Sequence, residues 1–371
     1  MKNLYDSNFA KNLDDLELRV YTSRLLGSCD KLVLHGGGNT SVKIGNILYV
    51  KGSGWDLATI QKEGFAPVNL QKLIDMLNYD SLSDSQMVKL QREAMSDKSA
   101  PNPSVEAILH AIIPYKYVDH THADAIVTLT NSKAGLDTIK RLYKNYLIVP
   151  YVMPGFILAK EVYKLSKSIK WEDIKGIILL KHGIFTFANS AKESYDNMIQ
   201  AVTKAELEIN KPPFDLDKLQ DYMSQKRGFK VSMNINTSYS AKAFSTLKEP
   251  HRFGILTPEH IIRTKRYPVL LEKDFKNEID EYISEYISYF NRHKSNEIML
   301  NPAPNWAVVR DYGIITFGKD NKECNIIEDI AMHTIEAIFN AQKYGGFDSL
   351  NESECFKMEY WELEQAKLKA K

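Results

Sequence analysis

The sequence has few cysteines, almost no net charge and no long apolar run. Its 371 residues include only three cysteines, Cys29, Cys324 and Cys355, which are widely scattered and predict neither a disulfide framework nor a cysteine metal site. The 48 lysines and arginines nearly balance the 47 aspartates and glutamates, so no overall field would recruit nucleic acid or a membrane surface. No apolar run is long enough to span a bilayer. We therefore expect a cytoplasmic protein without nucleic-acid or membrane partners.

The chain is longer than one average domain. Its first residues, MKNLYDSNFAKNLDDLELRV, contain acidic residues throughout and no apolar core, so they do not resemble a secretory signal. The tripeptide Lys211-Pro212-Pro213 marks a plausible domain end. We expect a large domain over residues 1–212 and a smaller extension over residues 213–371 that packs on it, and no internal repeat is evident.

Hydrophobic periodicity predicts the elements that carry the candidate residues. Helices are expected over residues 13–26, 104–113 and 190–210, and a hairpin is expected over residues 42–51. The expected strands of the first domain span residues 117–121, 125–130, 147–152, 176–181 and 184–187. In the second part, the pattern predicts helices over residues 274–292 and 326–344 and a hairpin over residues 307–317.

Three histidines are candidate metal ligands. His120 and His122 are two residues apart in a predicted strand, so their side chains point to the same face. His182 follows another apolar strand. Three protein ligands leave one coordination position open, as in a catalytic zinc site, and a nearby Glu106 could move protons. The alternative is that the strand histidines are partly buried and bonded to backbone carbonyls.

His110 competes with these histidines as a ligand. It follows Glu106 by four residues in a predicted helix, which places both side chains on one face. A structural hydrogen bond between them is equally reasonable. The pattern alone leaves both roles open.

Two loops of small residues flank the predicted hairpin. The first, His35-Gly36-Gly37-Gly38-Asn39-Thr40-Ser41, could present backbone N–H groups to a phosphate. The second, Lys51-Gly52-Ser53-Gly54, combines small residues with a lysine. Neither has the spacing of a dinucleotide fingerprint or a P-loop. Each could equally be an ordinary turn, although two such loops on one hairpin support each other.

Four ordered blocks of sequence resemble the class II, zinc-dependent sugar-phosphate aldolase and adducin family over about residues 15–210. The remainder resembles the extension of the long rhamnulose-1-phosphate aldolase branch, in which the aldolase part is often fused to a short-chain dehydrogenase. The chain reaches residues 364–368 about where such a partner would begin, so we expect the aldolase portion without the dehydrogenase. The four blocks are HGGGNTSVKIGNILYVKGSGWDLATI, NPSVEAILHAIIPYKYVDHTHADAI, VPYVMPGFILAK and GIILLKHGIFTFANSAKES, and the extension contains NPAPNWAVV, GIITFGK and FKMEYWELEQAKL.

The resemblance implies an α/β fold, a three-layer αβα arrangement around a mixed and largely antiparallel sheet, with a smaller C-terminal α+β extension. It implies a Zn²⁺ ion, or another divalent metal, bound by His120, His122 and His182, with Glu106 as the general acid/base. The residues that match substrate phosphate-binding positions are Gly38, Asn39, Ser41, Ser53, Gly54 and Ser104.

Two positions make the resemblance incomplete or ambiguous. Val105 replaces a serine hydroxyl beside the last phosphate-binding position, which leaves the identity of the anion open. Tyr151 matches a tyrosine that, in some members, protonates the aldehyde oxygen from a neighbouring subunit. A tyrosine in this segment could also be a core residue.

The activity implied is retro-aldol cleavage of a ketose 1-phosphate, or its reverse, with dihydroxyacetone phosphate and a short aldehyde as the three-carbon products. The same family includes epimerases, dehydratases and decarboxylases, which are the alternative reactions. A non-enzymatic adducin-like interaction protein is a further alternative, but that branch loses the metal ligands. The expected partners are a small-molecule sugar phosphate and further copies of the chain, assembled as a homo-oligomer such as a tetramer.

Two features of the second part have no role in this scheme. A basic cluster over residues 260–266 could reach an active site, bind a second anion or form a solvated helical face. Three tyrosines at helical spacing, Tyr282, Tyr286 and Tyr289, are better explained by packing or a subunit contact than by nucleic-acid stacking, since acidic residues lie between them.

Overall fold

The computed structural model describes residues 1–363, so the last residues of the motif FKMEYWELEQAKL lie outside the described part. The chain forms two compact units, Met1–Ile209 and Asn210–Lys371. Within the described residues, none of the helices combines the length and the apolar character that crossing a membrane requires.

A seven-stranded mixed sheet lies at the centre of the first unit. Its strands are β1 (Asn39–Ile44), β2 (Ile47–Lys51), β3 (Phe65–Asn69), β4 (Tyr117–Thr121), β5 (Tyr146–Val149), β6 (Gly176–Leu179) and β7 (Gly183–Ala188). They are arranged in the order β3-β2-β1-β4-β7-β6-β5. Every neighbouring pair is antiparallel except β5 and β6, which are parallel.

Helices cover both faces of this sheet. Ile177 and Ile178 of β6 point to opposite faces, and each belongs to a separate hydrophobic core. The helices are α1 (Ser7–Ala10), α2 (Asp15–Gly27), α3 (Leu70–Asp75), α4 (Asp84–Ala94), α5 (Ala107–Ile112), α6 (Asp124–Thr130), α7 (Gly135–Leu142), α8 (Phe156–Ser166) and α9 (Ala191–Ile209). One core includes α3, α4, α5 and α8, and the other includes α2, α6, α7 and α9. The predicted three-layer αβα fold is thereby confirmed.

The predicted strand over residues 125–130 is wrong, because this segment is helix α6. The β-branched residues Ile126, Val127 and Thr128 favour a strand locally. However, Ala125, Ile126 and Leu129 are buried together, which is the spacing of one helical face. Tertiary packing of that face overrides the local preference.

The second unit contains a four-stranded sheet and six α-helices within the described residues. The strands are β8 (Ser232–Asn236), β9 (Val269–Leu271), β10 (Trp306–Val309) and β11 (Gly313–Gly318), in the order β8-β11-β10-β9. The predicted α+β character of this part is confirmed. The helices are α10 (Leu216–Arg227), α11 (Tyr239–Ser245), α12 (Ile261–Thr264), α13 (Phe275–His293), α14 (Asn321–Ala341) and α15 (Glu352–Glu359).

The sheet of the second unit repeats half of the first sheet. The order β8-β11-β10-β9 corresponds to β4-β7-β6-β5, and in each set the first two pairs are antiparallel and the last pair is parallel. In each set, a long helix follows the strand that comes last along the chain: α9 follows β7, and α14 follows β11. The expectation that the chain has no internal repeat is therefore wrong at the level of structure.

Local details of the two hairpins also match. The turns before β7 and β11 contain Lys181 at φ +60° and Asp311 at φ +57°, an uncommon conformation for residues with a side chain. Thr186 and Thr316 each donate a hydrogen bond to a backbone carbonyl in the first turn of the following helix, over 3.1 and 3.2 Å respectively. These shared features show that the same supersecondary unit occurs twice.

Candidate metal centre and acid/base site

The three candidate ligand histidines converge at the end of β4 in the first unit. His120 lies in β4 opposite Phe185 of β7, and His122 follows the strand. His182 lies in the tight turn between β6 and β7, where its backbone N–H donates to Leu179 O over 3.2 Å. One ligand nitrogen from each histidine lies within 4.8 Å of the other two, and among residues 1–363 no other group of this kind occurs.

Gly183 makes this convergence possible. A Cβ atom at this position would lie 2.4 Å from Thr121 O and 3.0 Å from a ring carbon of His120. Only a residue without a side chain lets β7 begin this close to the end of β4. The glycine after His182 is therefore part of the site.

The carboxylate of Glu106 lies beside the three histidines as a fourth group that could bind a metal. Its Oε2 lies 3.3 Å from His120 Nε2 and its Oε1 lies 3.4 Å from His182 Nε2. The Nε2 atoms of His120 and His122 are 3.0 Å apart. Ligands of a tetrahedral zinc ion at about 2.0–2.1 Å are separated by about 3.3 Å. These three separations are close to that value, so the three imidazoles, with the Glu106 carboxylate beside them, could hold a divalent metal ion.

The surroundings of the three histidines favour the neutral form that a metal requires. Burial lowers the pKa of His120 well below its ordinary value, and His122 and His182 lower it further. Burial also lowers the pKa of both neighbouring histidines. The ring N–H at Nδ1 of His120 is placed to donate to Ile184 O over 3.1 Å, which leaves the Nε2 lone pair for a metal. Neutral imidazoles with one free nitrogen are suitable ligands.

Glu106 is a buried carboxyl group whose surroundings raise its pKa. It is only 4% exposed, and burial raises its pKa, while His182, Asn39 and Lys51 oppose that rise. Asn39 donates a 2.6 Å hydrogen bond to Glu106 Oε2. The other oxygen, Oε1, is buried and accepts no hydrogen bond within the described residues. The group is therefore oriented through one oxygen and can exchange a proton through the other.

His110 is not one of the three clustered histidines that could hold a metal. Its ring lies between Ser41, whose Oγ is 2.7 Å from Nδ1, and Asn39, whose Oδ1 is 2.5 Å from Nε2. Burial lowers the pKa of His110 well below its ordinary value, so the ring is neutral. The hydrogen bond that the sequence suggested between His110 and Glu106 passes instead through Asn39.

The predicted phosphate-binding residues separate into two groups. Asn39 and Ser41 belong to β1, not to a loop, and they are 6% and 0% exposed. Ser53, in contrast, is exposed in the turn after β2, beside the partly exposed Ser104. The Ser53 N–H donates to Asn102 O over 2.8 Å, so the two segments lie side by side.

Glycines shape the remaining predicted positions. Gly38 has φ +64°, and a Cβ there would lie 2.8 Å from His120 O, so the end of the glycine-rich loop lies directly beside the end of β4. Gly54 has φ +85° in an open turn. Both positions require the left-handed conformation that glycine adopts without strain.

Tyr151 lies on the surface, between β5 and α8. It is 60% exposed, so the alternative that it is a core residue is wrong. Val105, the position where a serine would be expected, is 45% exposed. The catalytic role of Tyr151 remains a prediction.

The sequence did not indicate the buried ion pair behind the site. Arg19 and Asp119 are both 0% exposed, with Arg19 Nη2 2.5 Å from Asp119 Oδ1. Arg19 also donates to the backbone carbonyls of Ser41 and Val118, which ties β1 to β4. Because Asp119 alternates with His120 along β4, it points to the opposite face and stabilises the strand from behind. The charged residue Asp119 within the buried strand β4 was the available signal.

The second unit does not reproduce the group of three histidines. Strand pairing places Ile235 opposite Ile315 in the position of His120 opposite Phe185. One residue after β8 is Thr237, the counterpart of His122, and Tyr312 precedes Gly313 where His182 precedes Gly183. The repeated scaffold thus carries no imidazole at these three positions.

In the basic cluster of residues 260–266, Lys265 and Arg266 form ion pairs within the second unit. Lys265 is 5% exposed and its Nζ lies 3.7 Å from Glu359 Oε1. The same carboxylate accepts hydrogen bonds from Tyr286 and Tyr289 over 2.8 and 3.2 Å. Arg266 forms an ion pair with Glu352 over 2.7 Å. These contacts favour the packing role expected for the tyrosines and do not match a solvated helical face for Lys265.

Comparison with known proteins agrees with this geometry. The family described as "Class II Aldolase and Adducin N-terminal domain" matches residues 17–209, and the one described as "Aldolase class II, second domain" matches residues 215–368. A relative from Bacillus subtilis (strain 168), named "Uncharacterized oxidoreductase YuxG", is 29% identical over an alignment that covers 99% of this chain and 60% of that protein. The chain therefore spans about 60% of the length of this relative.

One solved structure gives the same assignment. The N-terminal class II aldolase domain of a conserved protein from Thermoplasma acidophilum is 40% identical, with a TM-score of 0.52, covering 56% of this chain and 99% of that one. A more distant match, L-fuculose-1-phosphate aldolase from Thermus thermophilus, is 15% identical with a TM-score of 0.36, covering 52% of this chain and 94% of that one. With two successive family matches and a longer oxidoreductase-named relative, the resemblance found in the sequence is confirmed: the chain belongs to the class II aldolase and adducin family.

Proposed function

We propose that this protein is a zinc-dependent aldolase that cleaves or forms a ketose 1-phosphate of the rhamnulose-1-phosphate type, with dihydroxyacetone phosphate and a short aldehyde as the products. The observation that carries the proposal is the position of Glu106. Its carboxylate oxygens lie 3.3 and 3.4 Å from two of three clustered imidazoles. A buried acid beside an open metal position is the arrangement that carbon–carbon cleavage next to a carbonyl requires.

The metal ligands in this proposal are His120, His122 and His182. A bound zinc ion would act as a Lewis acid that stabilises negative charge on the substrate oxygens. Three nitrogen donors suit zinc, although other divalent transition metals also bind imidazole. The pKa of each of the three rings is lowered, with burial as the largest cause, which favours the neutral form that binds a metal.

Glu106 moves the proton at the nucleophilic carbon. In the cleavage direction, this carbon becomes the hydroxymethyl group of dihydroxyacetone phosphate and must gain a proton; in synthesis it must lose one. The raised pKa of Glu106 lets the group hold a proton closer to neutral pH than an exposed glutamate would. Asn39 fixes the orientation of the carboxyl group through Oε2.

The substrate phosphate is assigned to the loops around Ser53, Gly54 and Ser104, together with the backbone at Gly38. The exposed hydroxyl and backbone N–H groups there can donate to an anion. Ser41 receives a different role, because it is fully buried and bonded to His110. It supports Asn39 and, through it, Glu106.

The remaining expectations are part of the same proposal. Residues 1–212 form the aldolase domain and residues 213–371 an extension. The protein is a cytoplasmic homo-oligomer, with a tetramer as the expected assembly, and Tyr151 donates a proton to the aldehyde oxygen at a neighbouring subunit's site. The exposure of Tyr151 supports this last assignment.

The test is metal analysis followed by a cleavage assay. Purified protein is analysed by inductively coupled plasma mass spectrometry and then incubated with a small panel of ketose 1-phosphates, with dihydroxyacetone phosphate release coupled to NADH oxidation by glycerol-3-phosphate dehydrogenase. We expect bound zinc and release from at least one substrate. Protein without zinc that cleaves nothing on the panel would refute the proposal. Conversion of a panel member to an isomer without release would replace the aldolase with an epimerase.

A further inference from the structure

The second unit contains a cavity of about 300 Å³ whose lining residues all lie between His251 and Glu352. Helix α13 contributes residues three or four positions apart, from Glu278 to Arg292, so one face of this helix borders the cavity. Residues 266–270 supply much of the remaining lining. A cavity of this volume can hold a small-molecule ligand, and none of the residues used in the proposed function lines it.

The tyrosines that line this cavity present ring surface and not free hydroxyl groups. Tyr282 donates its hydroxyl hydrogen to Tyr267 O over 3.0 Å. Tyr286 and Tyr289 donate theirs to the carboxylate of Glu359 over 2.8 and 3.2 Å. Because these hydroxyl groups are bonded within the unit, the tyrosines offer a ligand mainly their rings, whose faces attract cations.

Tyr282 has a ring that is still available to a cation. The guanidinium carbon of Arg266 lies 4.5 Å from the ring centroid of Tyr267, so that ring already has a cation over it. The same is true of Tyr286, whose ring centroid is 3.8 Å from Lys265 Nζ. In the part of the chain that the structure describes, no lysine or arginine lies over the partly exposed Tyr282 in this way.

Negative charge exceeds positive charge around the cavity. Five glutamates and three arginines line it, which leaves an excess of two negative charges. Burial lowers the pKa of His251, the lining histidine, so its ring favours the neutral form and does not offset this excess. The net charge of the lining therefore favours a cationic ligand over an anionic one.

The uncompensated charge lies on the first half of α13. Glu281 has no ion pair within residues 1–363. One turn further along, Glu285 contacts Arg252 over 3.4 Å, with both side chains more than half exposed, which makes a weak pair. Shorter ion pairs engage two other lining glutamates, Glu272 with Arg310 over 2.8 Å and Glu352 with Arg266 and Arg292 over 2.7 and 2.9 Å.

The spacing of these two carboxylates indicates the size of the ligand. Glu281 and Glu285 are one helical turn apart, about 6 Å along the axis, and lie on the same face. Four methylene groups hold two ammonium groups about as far apart as one such turn. The ring of Tyr282 and the apolar side chains of Pro268 and Val269 also line the cavity, and such surfaces favour contact with methylene groups.

We propose that this cavity is a second ligand site, which binds an aliphatic diamine. Its two ammonium groups pair with Glu281 and Glu285, and its methylene chain lies along the ring of Tyr282. Two positive charges compensate the two excess negative charges of the lining. The site is separate from the aldolase chemistry and does not depend on it.

The experiment is isothermal titration calorimetry of the full-length protein with three four-carbon probes at physiological ionic strength. We expect saturable binding of 1,4-diaminobutane, and binding at least about tenfold weaker for the uncharged 1,4-butanediol and the dianion succinate. Glu281→Gln should raise the Kd for 1,4-diaminobutane at least about threefold, because one exposed ion pair is lost. Glu336→Gln, which removes an exposed carboxylate of α14 outside the cavity, is the matched control and should leave the Kd unchanged.

Two further variants test the ring of Tyr282. Tyr282→Phe keeps the ring and should keep the affinity, whereas Tyr282→Leu should weaken binding. If Tyr282→Leu does not fold, the exposed position of Glu281 still provides the test. Equal Kd values for Glu281→Gln and Glu336→Gln would show only nonspecific attraction and would overturn the proposal. Preferential binding of succinate would make the cavity an anion site, and absence of binding by all three probes would likewise refute a diamine site.

Discussion

Asn39 orients Glu106: its side-chain amide donates a 2.6 Å hydrogen bond to Glu106 Oε2, while its carbonyl oxygen lies 2.5 Å from His110 Nε2. If neutral His110 carries its proton on Nε2, it donates to Asn39 and accepts from Ser41 at Nδ1. This places the Asn39 amide nitrogen, and not its oxygen, toward the carboxylate. A relay of three buried residues thus fixes the direction of the acid/base group.

His110→Phe should uncouple Glu106 from this relay. The substitution keeps a ring of similar size but leaves the Ser41 hydroxyl and the Asn39 carbonyl without a partner, at a cost of about 1–3 kcal/mol for each buried group. We expect a lower midpoint of thermal unfolding and at least about a tenfold fall in kcat, with zinc content retained. His333→Phe, at an exposed position of α14, is the control. Full activity in the first variant would show that the relay does not position Glu106.

Glu106→Gln should separate metal binding from proton transfer. The amide keeps the size of the side chain but cannot carry the proton, so cleavage should fall by at least about a hundredfold while the three histidines still bind zinc. The measurement is exchange of the pro-chiral hydrogen of dihydroxyacetone phosphate with deuterated water, followed by NMR, beside metal analysis. Glu63→Gln changes an exposed glutamate of the same unit and should behave as wild type. Normal exchange in the Glu106 variant would assign the base to another residue.

The metal stoichiometry should be one ion per chain, although the supersecondary unit occurs twice. Ile235, Thr237 and Tyr312 occupy the positions of the three ligand histidines in the second unit, and none offers an imidazole. We expect His122→Ala to remove most of the bound zinc, because only two of the three proposed protein ligands would remain. Mass spectrometry of the metal against protein concentration gives the ratio, with His333→Ala as the control. Two ions per chain in the wild-type protein would contradict this prediction.

The sequence predicted the ligand set because His120 and His122, at i and i+2 in a strand, give a local signal. His182 was added because it follows a second buried strand. The structure brings His120, His122 and His182 together as expected, and the chemical role of the cluster remains a proposal. The sequence did not reveal that Asn39 contacts Glu106, because 67 residues separate them and only strand pairing brings them together. It also mistook residues 125–130 for a strand, since burial of one helical face, and not β-branching, decided that segment.

The internal repeat was missed for a related reason. The hairpins around Gly183 and Gly313 share the pattern GI-TF, but such short identities occur often by chance. The evidence lies in strand order, in the turn residues at positive φ and in the threonine hydrogen bonds. Strand order and turn conformation are properties of the backbone that many sequences can satisfy, and one threonine in each hairpin is too weak a signal to reveal the repeat.

Stability of the second unit should depend on pH through Glu352. This carboxylate accepts contacts from Arg292, His293 and Arg266, which lower its pKa to about 2. Because the pKa is lower in the folded than in the unfolded chain, the contribution to stability is present above about pH 4.5 and is lost as the pH falls toward 2.

The corresponding variant is Glu352→Gln. Its side chain is 30% exposed, so we reduce the full linkage value for solvent screening and expect a loss of about 1–2 kcal/mol at pH 7. The difference from wild type should shrink between pH 4.5 and 2, which urea unfolding at several pH values can measure. Glu336→Gln, at an exposed position of α14, serves as the control. A difference that stays constant across this range would show that the ion pairs do not stabilise the unit.

Tyr151 allows a test of whether active sites are shared between subunits. The residue is 60% exposed, as a side chain that reaches a neighbouring subunit's site must be before assembly. Tyr151→Phe should therefore lower kcat by about a hundredfold without changing zinc content or unfolding. If Glu106 and Tyr151 of different chains act together, each single variant is nearly inactive.

Mixing the two variants distinguishes this arrangement from a role within one chain. Glu106→Gln and Tyr151→Phe subunits, dissociated and reassembled together, would form some sites that contain both wild-type residues, so activity should rise well above that of either parent. The control is Tyr79→Phe, which changes another exposed tyrosine of the same unit (49% exposed). Mixed with Glu106→Gln in the same proportions, it gives the activity expected when the second subunit keeps Tyr151. Recovery with Tyr79→Phe but not with Tyr151→Phe would place Tyr151 in the same chain's site. A Tyr151→Phe protein with full activity would remove the residue from the mechanism.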